Sequence, residues 1–174
     1  MDLQNTATEL FLGIDIGSTT AKIVLREGDT ILLERYERHF SQVREKTAEL
    51  LRLAKEIAGE RKIKAAISGS AGLGLAEAAH IPFVQEVFAT AQVVKLREPD
   101  TSCVIELGGE DAKIIFFKGG IDERMNGSCA GGTGAFIDQM ATLLNITVDE
   151  LDKLSLNAGR LYPIASRCGV FAKT

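Results

Sequence analysis

The sequence predicts an α/β protein built from one structural unit used twice. Apolar runs alternate with glycine-bearing turns and then give way to a helical period, first from residue 10 and again from residue 103. Of the 17 glycines, 13 bunch at 13–17, 69–74, 108–109, 119–120 and 127–134, mostly at the ends of predicted strands. The 174 residues, 45% of them hydrophobic, suffice for one compact domain or two small lobes sharing a cleft.

Taken in order, Leu10 to Ile16 is an apolar strand that ends in the turn Gly17-Ser18-Thr19-Thr20. Ala21 to Arg26 is a second strand, Gly28-Asp29 turns, and Thr30 to Arg38 completes an antiparallel meander. Ser41, with Glu45 soon after, opens a helix close to a capping pattern. Val43, Thr47, Leu50, Leu51, Ala54, Ile57 and Ala58 fall on one helical face, and Gly59 suits the stop. Lys62 to Ser68 reads as a buried strand leading into the glycine-rich 69–74 loop. Helices over Leu75–Ala79 and Gln85–Arg97 follow, interrupted at Ile81-Pro82, and Glu98-Pro99-Asp100 is the best boundary. This divides the chain into lobes at 1–100 and 101–174.

The pattern then repeats. Cys103–Leu107 is a strand, Gly108-Gly109 a turn, Ala112–Phe117 a strand, Gly119-Gly120 a turn, and Ile121–Met125 a third strand. A glycine-rich loop over 126–134 leads into a helix over Ala135–Leu144.

Composition excludes several classes of function. The net charge is −4, from 20 basic and 24 acidic residues, with no basic stripe of the kind nucleic-acid binding needs. No apolar run approaches the roughly 18 residues of a membrane span. Met1-Asp2-Leu3-Gln4 lacks the basic-then-apolar layout of a secretory signal, so the chain reads as cytoplasmic. Its three cysteines, an odd number, argue against a disulfide scaffold. His39 and His80 offer no metal-ligand spacing.

The two opening turns match each other. In the first, Asp15 ends a strand, Gly17, Ser18, Thr19 and Thr20 turn, and Lys22 follows seven residues after the acid. In the second, Glu106 ends a strand, Gly108, Gly109, Glu110 and Asp111 turn, and Lys113 stands at the same seven-residue spacing. A turn without bulky side chains can aim several backbone N–H groups at phosphate oxygens, and the three hydroxyls add donors. A carboxylate at the strand end can hold Mg²⁺ through water, because Mg²⁺ dehydrates reluctantly. Either turn alone reads equally well as an ordinary hairpin turn; two in matching positions favour triphosphate binding. Neither a P-loop nor a dinucleotide-binding glycine motif is present. LGIDIGSTTAKIVL at 12–25 resembles the first phosphate motif of the actin, sugar-kinase and chaperone ATPase superfamily. Gly108, Gly109, Glu110 and Asp111 with Lys113 resemble its second. The resemblance implies a duplicated ribonuclease-H-like, actin-like ATPase fold.

The cysteines narrow the resemblance. Cys129 stands at the mouth of the last predicted helix, and Cys168 follows 39 residues later beside Gly169. A helix N-terminus stabilises thiolate, the metal-binding form, and Arg167 is placed to do the same for Cys168. Two thiolates cannot complete a four-sulfur site, but a two-fold dimer would supply two more. Cys103, inside an apolar strand, reads as core. For the other two, inert packing and a zinc site stay open on spacing alone.

NGSCAGGTGAFIDQMA at 126–141 and YPIASRCGVFAKT at 162–174 closely resemble the cluster-binding segments of the BadF/BadG/BcrA/BcrD ATPase family, activators of 2-hydroxyacyl-CoA dehydratases. The resemblance runs from about Phe11 to the last residue. It implies a homodimer holding one [4Fe–4S] cluster, with Cys129 and Cys168 of each subunit as ligands. It implies ATP hydrolysis that drives low-potential electrons to the dehydratase component. Asp15 and Glu106 become the Mg²⁺ acids, and Asp15, Glu106, Glu110 and Asp111 the candidate catalytic residues. Gly17, Ser18, Thr19, Thr20, Lys22, Gly108, Gly109 and Lys113 become phosphate contacts, while Gly131, Gly132, Thr133 and Gly134 form a glycine-rich segment near nucleotide and cluster. Bound ATP or ADP would bridge both hairpins, with hydrolysis shifting the 131–144 helix.

Two positions depart from the family pattern: Glu106 replaces its usual Asp, and Glu110 its usual Gln. Glu110 thus puts a carboxylate where an amide would orient the attacking water, as base or as brake. IELGGEDAKI at 105–114 and HFSQVRE at 39–45 resemble the long members, in which the unit is fused to dehydratase-like segments. The chain ends six residues past Cys168, before the adenosine-binding motif the family carries, so an N-terminal fragment with weakened ATP affinity is expected. The hairpins alone also fit a small-molecule kinase of the superfamily, or a module binding nucleotide without turnover.

Overall fold

The computed structural model describes residues 9–126, 131–164 and 168–173. The chain parts into two compact units, one ending at Val93 and the other beginning at Val94.

The first unit is a four-stranded sheet ordered β3-β2-β1-β4, from β1 (Leu10–Ile16), β2 (Thr20–Glu27), β3 (Thr30–Arg38) and β4 (Ile63–Ser68). The first three strands form the expected antiparallel meander, and β4 lies parallel to β1. A parallel pair needs a crossover, and helix α1 (Val43–Ala58) supplies it. Even-numbered residues of β1 (Leu10, Leu12, Ile14, Ile16) and odd-numbered residues of β2 (Ala21, Ile23, Leu25) share one face, because Leu12 pairs with Leu25 and Ile14 with Ile23. That face buries Leu50, Ala54 and Ala58 of α1. Burial of apolar surface on this face stabilises the unit at about 25 cal/mol per Å². The opposite face carries Asp15, Lys22 and Ser68.

Three expectations change here. Helix α1 begins at Val43 with Gln42 as an uncapped N-cap, and Ser41 does not cap it. Phe40 and Ser41 have φ of 47° and 66°, and the Ser41 N–H turns back to the His39 ring. Ile57 leaves the buried face and is 39% exposed. Helix α2 spans Leu73–Ala79, starting two residues earlier than expected, and α3 spans Glu86–Arg97.

The second unit holds an antiparallel sheet, β5 (Cys103–Leu107), β6 (Ala112–Phe116) and β7 (Asp122–Met125). Helix α4 (Gly134–Leu143) follows. Cys103 is exposed rather than core. It shares with Ile105 and Leu107 a strand face that the described residues leave open. Helix α5 (Val148–Leu156) was not anticipated. It begins at a full capping box, Thr147 with Glu150. Among the described residues, no helix is long and apolar enough to cross a membrane.

Candidate functional site

The two hairpins have the same register. Asp15 is directly opposite Lys22 in the β1–β2 ladder, and Glu106 is directly opposite Lys113 in the β5–β6 ladder. The seven-residue spacing is therefore a cross-strand pair with a four-residue link between the paired ends. Lys22 Nζ lies 2.5 Å from Asp15 Oδ2 and 5.3 Å from the centre of the Tyr36 ring. Lys113 Nζ lies 3.7 Å from Glu106 Oε1 and 3.7 Å from Asp111 Oδ2. Each acid thus turns one oxygen to its lysine. The other oxygen, Asp15 Oδ1 or Glu106 Oε2, is buried with no hydrogen-bond partner among the described residues. A buried carboxylate oxygen left unpaired is costly. A water on a bound divalent cation would satisfy each, so both acids fit a cation held through water.

The first turn is braced from three sides. The Gly17 N–H donates to the Thr20 carbonyl at 2.9 Å, with Ser18 exposed and Thr20 buried. The His39 ring lies 3.1 Å from the Gly17 carbonyl, and the His39 N–H donates to the Thr19 carbonyl at 3.2 Å. Across β1, the 69–72 turn rests on the strand end. Its Ala71 N–H donates to the Ile16 carbonyl at 2.9 Å, and any Cβ on Gly69 (φ +94°) would collide with the Ile16 backbone. Only glycine fits there.

Two residues not singled out in the sequence stand beside this turn. Ser68 pairs with Asp15 in the parallel ladder, and its Oγ is also buried without a partner among the described residues. The other is His39. Ser68 was legible in principle, as a polar residue ending an apolar strand before a glycine-rich turn. No local signal marks His39.

The second turn is braced by a helix. The first N–H groups of α4, on Gly134 and Ala135, donate to the Gly108 and Gly109 carbonyls at 2.7 and 3.3 Å. A Cβ on Gly134 would lie 2.9 Å from the Gly108 carbonyl oxygen, and one on Gly108 would collide with the Asp111 carboxylate. The α4 N-terminus therefore spends two of its unpaired donors on the turn, leaving fewer for a thiolate than the sequence suggests. Glu110 is exposed. Thr133, the α4 N-cap, is fully buried.

Cys168 is a half-buried free thiol. Its neighbour Gly169 backs onto the start of α4: a Cβ there would lie 3.3 Å from the Phe136 ring and 3.5 Å from the Gly131 Cα. The chain one residue after Cys168 thus meets the chain two residues after Cys129. Cys129 itself and Arg167 lie outside the described residues.

These features define a class: the fold is that of the actin-like ATPases, an α/β architecture with two hairpin-bearing units. The chain belongs to the BadF/BadG/BcrA/BcrD ATPase family, which it matches over residues 12–174. It is 33% identical to the activator of lactoyl-CoA dehydratase from Anaerotignum propionicum, over 94% of this chain and 64% of that protein. The structure of the 2-hydroxyisocaproyl-CoA dehydratase activator from Clostridium difficile with bound ADPNP is similar at a TM-score of 0.79 and 30% identity, covering 94% of this chain and 63% of that one. Component A of (R)-2-hydroxyglutaryl-CoA dehydratase from Acidaminococcus fermentans gives 0.79 and 29%, covering 94% and 65%. The chain therefore spans somewhat under two thirds of these relatives' lengths.

Proposed function

We propose that this chain is the phosphate-binding and cluster-ligating part of an ATP-dependent activator that delivers single electrons to a 2-hydroxyacyl-CoA dehydratase or a similar reductase. The observation that carries the nucleotide half is the pair of matched acids, each with one oxygen on a lysine and the other buried and unpartnered among the described residues. That relatives of the chain are activators of 2-hydroxyacyl-CoA dehydratases, one of them with ADPNP bound, supports the same reading.

In this reading Asp15 and Glu106 receive the waters of Mg²⁺, and the 17–20 and 108–111 turns present N–H groups and hydroxyls to phosphate oxygens. Lys22 and Lys113 offset phosphate charge. Glu110, exposed in the second turn, would act as the base that takes a proton from water. Cys129 and Cys168 supply two thiolates, and a second copy of the chain supplies two more. A [4Fe–4S] cluster, when bound, provides a one-electron store at low potential. The Gly134 and Ala135 bonds to the second turn tie the start of α4 to the residues that would sense hydrolysis. The acyl-CoA dehydratase component is the partner, whether separate or fused in the same polypeptide, and the lobes are those at 1–100 and 101–174.

Anaerobic reconstitution with iron and sulfide tests the cluster half. About two irons per chain, with charge-transfer absorption that disappears in the Cys129→Ser, Cys168→Ser double variant, is expected for a shared four-iron cluster. ATP-independent reduction of an acceptor by a full-length version would refute the coupling. A module that binds nucleotide without turnover is the second reading, favoured by a carboxylate at Glu110. Single-turnover hydrolysis by the full-length protein rules it out.

A further inference from the structure

We propose that His39 is a positioning residue of the first phosphate turn, holding the Gly17 carbonyl through a neutral imidazole protonated at Nε2 and so directing the Ser18 N–H to the phosphate side. The inference rests on the nucleotide reading for its ligand and on geometry for its mechanism.

His39 is 5% exposed, and both ring nitrogens are engaged. The Ser41 backbone N–H, which can only donate, meets Nδ1 at 3.1 Å. Nδ1 must therefore carry the lone pair, the proton sits on Nε2, and Nε2 donates to the Gly17 carbonyl at 3.1 Å. A cationic ring would place an N–H against the Ser41 N–H. The backbone is arranged around this tautomer. Phe40 and Ser41 occupy left-handed φ values of 47° and 66°, uncommon for both residue types. That double turn returns the Ser41 N–H to the ring, and the Gln42 N–H closes it on the His39 carbonyl at 2.7 Å. A buried residue that only filled space would need none of this.

The consequence lies one peptide away. The Gly17–Ser18 bond is trans, so its N–H points opposite to its carbonyl. Fixing the carbonyl on the buried ring turns the Ser18 N–H away from it, toward the exposed side of the turn. The His39 N–H holds the Thr19 carbonyl as well, so one residue sets two of the turn's peptide planes. A turn ordered in advance loses less entropy when an anion binds.

Two measurements on the whole chain decide it. Long-range ¹H–¹⁵N correlation of the histidine rings should show His39 as the fixed Nε2–H tautomer; an Nδ1–H or averaged ring overturns the proposal. Affinity for Mg·ADPNP separates the two ring contacts. His39→Gln keeps a donor near the Nε2 position and should stay within about threefold of the unsubstituted chain. His39→Asn keeps only the Nδ1-like acceptor and should fall about tenfold, as should His39→Ala, the scale of one hydrogen bond. The reverse order, or equal affinities for all three, overturns it. A full-length version that does not bind Mg·ADPNP at all refutes the nucleotide reading instead. The role of His39 is then decided by backbone order parameters at Gly17–Thr19, lowered by Asn and Ala but kept by Gln if the proposal holds, and equal in all if it does not. Should His39→Ala fail to fold, the tautomer and the Gln–Asn contrast still decide.

Discussion

The two hairpins share an acid, a four-residue link and a lysine in identical register, yet they are held by different neighbours. The Gly17–Thr20 turn is fixed by its own unit: His39 beyond β3 takes two of its carbonyls, and the 69–72 turn packs on the end of β1. The 108–111 turn is held by the first two N–H groups of α4. The start of α4 also meets the segment just past Cys168, through Gly131 and Phe136. The same acid–turn–lysine device is thus braced once by the strands and turns of its own sheet and once by α4, the helix whose start meets the segment just past Cys168. In the proposed function, a change in phosphate contacts at the second turn is carried through the start of α4 to the Cys168 segment.

The largest effect that could break this contrast is at Cys168. Replacing it with serine should abolish iron incorporation after anaerobic reconstitution, since one missing thiolate per subunit leaves a four-iron site short of two ligands. Mg·ADPNP affinity should stay unchanged. Iron retained at the full count by Cys168→Ser would show that the second hairpin is not linked to a metal through this residue.

The lysines give the next test. Lys113 is 5% exposed between Glu106 and Asp111, whereas Lys22 is about a third exposed beside Asp15 and Tyr36. Lys113→Met leaves two neighbouring carboxylates without their buried counter-charge and should cost about 2 kcal/mol. Lys22→Met removes a solvent-screened pair and should cost about 0.5 kcal/mol. Urea midpoints separate the two, and equal losses would mean that the hairpins are energetically equivalent.

Much of this architecture was legible, and the misses have physical causes. The strands are readable because apolar runs end in glycine turns, and the shared seven-residue spacing marks the two turns as alike, while their common register is seen only in the paired ladders. Which face of a strand is covered is not a property of its own residues, so apolar β5 gave no warning that Cys103 is exposed. Ser41 has the chemistry of a cap, but its left-handed φ turns its N–H back to the His39 ring and leaves Gln42 at the N-cap position. The His39–Gly17 contact spans 22 residues and exists only once β2 and β3 pair, so no local pattern carries it. Helix α5 does carry a local signal, because Thr147-Val148-Asp149-Glu150 spells out its capping box.

A smaller effect should distinguish the turns themselves. Gly17 has its nearest non-local atoms 3.8 Å from a would-be Cβ, while a Cβ on Gly108 collides with the Asp111 carboxylate. Gly17→Ala should change stability by less than about 0.5 kcal/mol, and Gly108→Ala should cost about 1 kcal/mol, because the short Asp111 side chain can partly rotate away. If Gly108→Ala proves as neutral as Gly17→Ala, the tightness of the second turn is not a constraint.

The smallest effect concerns how helices in the two units are secured. Helix α1 lacks a side-chain cap and buries Thr47, Leu50, Ala54 and Ala58; helix α5 buries nothing and depends on its capping box. The Thr147 backbone N–H and hydroxyl hold the Glu150 carboxyl below its ordinary value, the backbone bond contributing most. A depressed folded value means the cap's contribution is complete above the unfolded glutamate value and is lost as pH falls through the lower folded one. Acidification should therefore fray the first turn of α5 while leaving α1 intact, visible as Cα ¹³C shifts of 148–151 moving toward coil. Glu150→Gln should remove that pH dependence, because an amide keeps part of the bond without titrating. If α5 in the unsubstituted chain is as indifferent to acid as α1, its packing and not its cap secures it.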